Sequence, residues 1–219
     1  MKVPMVVAVS QRIDVLADRG ERRDALDQRL VALLVTCGLV PVPVPNGMAD
    51  PTHSPSQGDT VLDAWLARVQ PGALVLSGGN DVGQCADRDN TERALLAHAR
   101  RHRWPVLGIC RGMQMMASWA GGRLVQVEGH VRTRHRLQLT DPSQWGTWPA
   151  EVSSYHDWSL AACPDGYTVA ARSEEGGIEA IRHSSLAWEG WMWHPEREST
   201  FASEDVQRIQ ELFRETTAR

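Results

Sequence analysis

The 219-residue sequence predicts an α/β fold of three layers, with a mainly parallel central sheet, helices on both faces and antiparallel additions in the C-terminal half. Three observations predict it. Short aliphatic or β-branched runs alternate with helical patterns, the joints between them are short and carry glycine, and after Gly122 the pattern changes to brief extended segments.

Residues 3–9 are a β-branched run that reads as a first buried strand. In residues 22–37, Ala25, Leu26, Leu30, Leu33 and Leu34 follow helical spacing, and Gly38 stands where a helix ends. An extended segment at 39–44 is broken by Pro41 and Pro43, and the Pro/Gly/Ser-rich stretch 45–58 reads as a surface loop. A short helix is expected at 61–69. Residues 73–76 make a buried strand that runs into Ser77-Gly78-Gly79-Asn80; a helix at 91–102, a strand at 106–109 and a helix at 113–120 follow. Beyond Gly122, the segments 124–127, 167–171, 178–181 and 188–193 read as short strands, mostly antiparallel additions to the sheet. Turns fall at Pro164-Asp165-Gly166 and Glu175-Gly176-Gly177. Val206, Ile209, Leu212 and Phe213 place an amphipathic helix at 203–216.

The length suits one substantial core, so residues 1–219 are expected to form a single domain. A net charge of -4 gives no basic footprint for nucleic acid. Lys2 is the sole lysine, which removes Schiff-base and P-loop chemistry. Cys37, Cys85, Cys110 and Cys163 are widely spaced, with neither a disulfide framework nor a zinc pattern, which fits reduced cytoplasmic thiols. The apolar start is too short to span a membrane and lacks signal-peptide organisation.

Three elements carry chemistry. Gly108-Ile109-Cys110-Arg111-Gly112 passes from a strand through a sharp turn into a helix, the arrangement of a thiol nucleophile elbow. A helix N-terminus just beyond favours thiolate and developing oxyanion, and Gln114 lies one helical turn after Cys110, where its amide could reach substrate. In Trp193-His194-Pro195-Glu196, read as extended, side chains two apart share one side, so Glu196 can orient the His194 base. Gly78, Gly79 and the Arg111 N–H offer backbone donors for an oxyanion hole. Arg12, Arg132, Arg134 and Arg197 are candidate partners for an anionic substrate. His130, His135 and His156 read as substrate-pocket groups rather than metal ligands, since the sequence displays no acidic or Cys/His companion for them.

In this order the elements resemble the class I glutamine amidotransferases and the γ-glutamyl hydrolases of peptidase C26 type that share their flavodoxin-like fold. Within that group the nearest likeness is to γ-glutamyl-CDP-amidate hydrolases of capsule phosphoramidate biosynthesis. It rests on Ser10-Gln11-Arg12, Ser77 to Asp81, Arg88-Asp89-Asn90, the Cys-Arg-Gly elbow, His130 with His135, Ser154-Tyr155-His156-Asp157 and His194-Pro195-Glu196-Arg197-Glu198. The resemblance implies a Cys110, His194, Glu196 triad and substrate contacts from Asn80, Arg12 and Arg197. It implies a small γ-glutamyl substrate, nucleotide-linked, and no metal or organic cofactor. The chemically neighbouring expectations are a hydrolase of another γ-glutamyl amide such as γ-glutamyl-GABA, a glutaminase chain serving a synthetase, and a silent binding protein that kept the fold. The stretches 50–59 and 142–149 have no counterpart in the family pattern.

Overall fold

The computed structural model describes residues 3–50 and 60–214. The strands and helices in chain order are β1 (Met5–Ser10), β2 (Arg12–Leu16), β3 (Glu21–Ala25), α1 (Gln28–Thr36), β4 (Leu39–Val44), α2 (Val61–Val69), β5 (Ala73–Leu76), α3 (Ala86–His102), β6 (Val106–Ile109) and α4 (Arg111–Trp119). There follow β7 (Leu124–Gln126), β8 (Val131–Leu139), α5 (Pro142–Trp145), β9 (Glu151–Tyr155), β10 (Trp158–Leu160), β11 (Tyr167–Ser173), β12 (Ile178–His183), β13 (Trp188–Trp191) and α6 (Ser203–Arg214).

Nine strands form one sheet in the order β4-β1-β5-β6-β13-β12-β11-β8-β9. The first five are parallel and the rest join antiparallel. Alternation along the central strands explains the three layers. Val7, Val9, Ala73, Val75, Leu107 and Ile109 point into a core shared with Leu30, Leu33 and Leu34 of α1 and Ile209, Leu212 and Phe213 of α6. Ala8, Leu74, Leu76 and Val106 point the other way, against Leu62 and Leu66 of α2, Leu95 and Leu96 of α3, and Met113, Met115 and Met116 of α4. Strands covered on both faces read as unbroken apolar runs, which is why β5 and β6 were legible.

Several expectations change. The helix expected over 22–37 begins only at Gln28, because the Asp27 side chain accepts from the Arg29 N–H and caps it there; Glu21–Ala25 instead pairs with Arg12–Leu16 as a separate hairpin. The segment 188–193 supplies β13, which lies parallel to β6 in the middle of the sheet rather than as an antiparallel addition. β7 leaves the main sheet and pairs with β10. In the unmapped stretch 142–149, Trp148 is buried with ring centroids 5.7 Å from Trp191 and 5.5 Å from Trp193, closing the core over the antiparallel strands. Much of the loop expected at 45–58, together with 51–59 of the other unmapped stretch and the tail of the last helix, lies outside the described residues. β4 is an edge strand, and its Pro41 and Pro43 sit opposite Val7 and Val9 of β1.

Candidate active site

β6 delivers Cys110 to the C-terminal edge of the parallel strands, where α4 begins. Cys110 has φ 50° and ψ -105°, a backbone state that costs a non-glycine residue on the order of 1–3 kcal/mol and persists only where its surroundings enforce it. Its N–H donates to Trp191 O at 2.6 Å, and its carbonyl accepts the Gln114 N–H at 3.1 Å as the helix starts. The packing enforces glycine on both sides. A Cβ on Gly108 would lie 2.7 Å from the Gly112 carbonyl carbon, and one on Gly112 would collide with Leu76 O. Arg111 is the first helical residue, so its N–H has no intrahelical acceptor.

β13, parallel and adjacent to β6, carries the chain to His194. Here Pro195–Arg197 forms a 3-10 turn rather than the extended segment the spacing suggested, and that turn folds the Glu196 carboxylate back to the imidazole. Nδ1 of His194 lies 2.6 Å from Glu196 Oε1, with both side chains buried. Arg29 of α1 clamps the turn by donating to the carbonyls of Glu196, at 2.7 Å, and Glu198. Burial works to lower the His194 pKa, but hydrogen bonds and charge from Cys110 and Glu196 prevail and push it up to about 9.

The loop after β5 is held from beneath by two buried arginines. Arg88 donates to the carbonyls of Ser77 (2.6 Å), Gly78 (3.1 Å) and Gly79, and Arg111 donates to that of Asn80 at 3.1 Å. Glu92 and Asp89 complete the network as carboxylate partners. In a trans peptide the N–H points opposite to the preceding carbonyl. Pulling carbonyls 77 and 78 toward Arg88 therefore turns the N–H groups of Gly78 and Gly79 away from it. On that loop, Gly78 comes so close to the imidazole that a Cβ would stand 2.6 Å from His194 Cε1.

A cleft lined by Arg12, Gly78, Gly79, His194, Glu196 and Arg197 opens beside these groups. Arg12 pairs with Asp14 at 2.7 Å while staying half exposed, and Arg197 stacks on Tyr155 with its guanidinium carbon 4.3 Å from the ring centroid. Arg134 lies elsewhere, bound to Glu198 at 2.9 Å. Asn80 uses both ends of its amide on the Ile13 backbone, at 2.8 and 2.9 Å, and so ties the first hairpin to the loop. Gln114 is buried and donates to Trp158 O at 2.9 Å. His130, His135 and His156 do not line the cleft; they gather around Glu179.

Sequence reading gave no role to Arg88, Glu92, Tyr155 or Glu179. Arg88 and Glu92, four apart at a helix start, carried a signal of ion pairing, but their complete burial did not show in the sequence. Tyr155, whose ring stands edge-on to His194 with centroids 5.7 Å apart, and Glu179 become neighbours of the site only through strand pairing.

The peptidase C26 family model matches residues 6–196. The glutamine-hydrolyzing chain of a GMP synthase from Thermococcus kodakarensis is 28% identical over 154 residues, covering 65% of this chain and 76% of its own. A γ-glutamyl-CDP-amidate hydrolase from Campylobacter jejuni is 26% identical over 147 residues, 64% of this chain and 69% of its own. A glutamine amidotransferase from Thermotoga maritima shares the fold with a TM-score of 0.63 at 14% identity, over 98% of this chain and 86% of that one. Among the described residues no helix is long and apolar enough to cross a membrane. With its fold, its elbow cysteine and a family match over most of its length, the chain belongs to the peptidase C26 family of class I glutamine amidotransferase-like proteins.

Proposed function

We propose that the protein hydrolyses a γ-glutamyl amide through a covalent thioester on Cys110. The observation that carries this reading is the positive-φ cysteine at a strand-to-helix elbow beside an imidazole that a buried carboxylate holds at 2.6 Å. The Cys110 thiolate adds to the γ-carbonyl carbon, and the C–S bond forms as the carbonyl electron pair moves to oxygen. The Gly79 and Arg111 N–H groups stabilise that oxyanion. The C–N bond then breaks, and the leaving nitrogen takes the proton that His194 carries. Water, deprotonated by His194, releases glutamate and restores the thiol, while Glu196 keeps the ring oriented.

The leaving group in this reading is an amide nitrogen on a nucleoside diphosphate, as in CDP-linked glutamine. Arg12 and Arg197 flank the cleft and match phosphate oxygens, and one of the similar proteins is a γ-glutamyl-CDP-amidate hydrolase. Distal contacts of that kind strengthen transition-state binding that free glutamine lacks. The test compares kcat/KM for CDP-linked glutamine, glutamine and γ-glutamyl-GABA with one enzyme preparation. The nucleotide substrate is expected to lead by a wide margin, and Arg12→Met or Arg197→Met to raise its KM more than that of the small amide. Equal efficiencies for all three would leave only the broader hydrolase.

A second reading is favoured by the glutamine-hydrolyzing GMP synthase chains among the similar proteins: a glutaminase that passes ammonia to a separate synthetase. It requires free glutamine to become the best substrate once a synthetase partner is added.

A further inference from the structure

We propose that His130, His156 and Glu179, with His135 as fourth donor, form a binding site for a zinc-class divalent cation, separate from Cys110 and His194. Donor atoms of His130, His156 and Glu179 all lie within 4.8 Å of one another. Glu179 is 1% exposed and His156 4%. Both Glu179 carboxylate oxygens, Nε2 of His156, Nε2 of His135 and Nδ1 of His130 are buried without a hydrogen-bond partner. An uncompensated buried carboxylate is costly, and native structures satisfy nearly all such groups.

The rings approach the carboxylate but sit outside hydrogen-bonding geometry. His135 Nε2 is 3.2 Å from Glu179 Oε2, and His156 Nε2 is 3.8 Å from Oε1. Two ligand atoms at roughly 2.0–2.1 Å from one tetrahedral ion stand about 3.4 Å apart. The observed separations bracket that spacing.

Tautomer fixation points the same way. Nδ1 of His156 lies 3.0 Å from the Trp158 carbonyl, which can only accept, so Nδ1 carries the proton and a neutral ring turns the Nε2 lone pair toward Glu179. A lone pair facing a carboxylate is repulsive, and a cation between them reverses the sign. Metal-bound histidines characteristically donate their other N–H to a backbone carbonyl in this way. His130 repeats the pattern: Nδ1 is the unpartnered atom, while Nε2 lies 3.5 Å from Glu175 Oε2. The backbone is also fixed, since the His130 carbonyl accepts from the His156 N–H at 3.1 Å and from Ser154 Oγ at 2.6 Å. A surface pocket bordered by Gly129, His130, His135 and Glu175 supplies an entry path.

Three imidazoles and one carboxylate are a donor set suited to Zn²⁺. Such an ion would join the start of β8, the end of β9 and β12. It would thereby fix Tyr155, the neighbour of His156 that packs edge-on against His194.

The test uses the full-length protein with Zn²⁺ or Co²⁺ as the probe. Elemental analysis is expected to find about one zinc per chain after dialysis against buffered zinc, and Co²⁺ to give the visible bands of a tetrahedral site. Glu179→Gln and His156→Asn are expected to weaken binding by about 100-fold or more, as loss of a direct ligand should exceed second-sphere effects. Cys110→Ser is expected to leave it unchanged, which separates this site from the thiolate and from the proposed hydrolysis. Zinc binding lost in Cys110→Ser but kept in Glu179→Gln would overturn the proposal, as would a wild-type chain that takes up neither metal. If the ligand variants do not fold, wild-type protein still decides the matter. Its Tm should rise by roughly 5–10 °C at zinc about 100-fold above Kd, and an unchanged Tm counts against the site.

Discussion

Gly78→Ala tests the proposed mechanism through one methyl group. Its Cβ would lie 2.6 Å from His194 Cε1 and 3.5 Å from both ring nitrogens. Carbon–carbon contacts settle near 3.5–4.0 Å, so ring or loop must yield about 1 Å. Neither yields freely: Glu196 holds Nδ1 at 2.6 Å, and Arg88 holds the carbonyls of residues 77–79. Gly78 is not among the positive-φ residues, so alanine adds crowding without backbone strain. Overpacking of this kind costs about 1–3 kcal/mol in stability. A shift of about 1 Å at a reacting group costs about 100-fold in rate. The assay pairs kcat/KM on a γ-glutamyl substrate with thermal unfolding followed by circular dichroism. Gly121→Ala is the control, because φ there is +83° and a Cβ meets nothing within 4 Å, so it adds strain away from the site. Near-wild-type kcat/KM for Gly78→Ala, with unchanged Tm, would show that His194 is not held as described and refute the reasoning.

Four further outcomes are expected. His194→Asn should cost far more activity than Glu196→Gln, since the base moves protons while the carboxylate orients it; equal small losses would remove His194 from that role. With its folded pKa raised to about 9, His194 contributes stability that is full below its unfolded value of about 6.5 and fades as pH rises through 9. Activity that needs the imidazolium should fall over the same upper limb, a feature of the kcat/KM profile that His194→Asn should lack. Asp205 is raised to about 7, first by burial, against the lowering effect of its hydrogen bond from Trp193 and with nearby Glu198 raising it further. Its stabilising contribution is therefore lost as pH rises from about 3.8 to 7, and Asp205→Asn, which keeps an acceptor for Trp193 Nε1–H at 3.3 Å, should stabilise the fold above pH 7 by on the order of a few kcal/mol in urea titrations. Arg88→Met takes one of two guanidinium partners from Glu92 and frees three loop carbonyls, so it should cost about 3–5 kcal/mol in the same titrations and lower kcat; wild-type values for both would contradict the anchoring role.

What the sequence made legible follows from how local each signal is. β5, β6 and the elbow were readable because burial on both faces leaves continuous aliphatic runs, and because Gly108 and Gly112 mark the crowding around Cys110. His194 and Glu196 were readable as a pair two residues apart, although a 3-10 turn and not an extended chain brings them together. The hairpin of β2 and β3 was missed because its residues are largely exposed and charged, and the apolar spacing of Ala25 and Leu26 ran on into the true helix. The position of β13 was missed because parallel pairing with β6 leaves no local mark. Glu179 offered nothing by itself, since its partners His135 and His156 reach it only across neighbouring strands.

The prolines of β4 bear on how copies of the molecule can associate. Alternate residues of a strand direct their N–H groups to the same side, so Pro41 and Pro43 remove donors from a single edge. That edge faces outward, since the inner one is engaged in the ladder to β1. A strand from another molecule arriving there would find carbonyls without the donors needed to continue the ladder. Dimers or fibrils built by prolonging the sheet past β4 are thus disfavoured, and any self-assembly by strand addition would have to use the opposite margin, at β9.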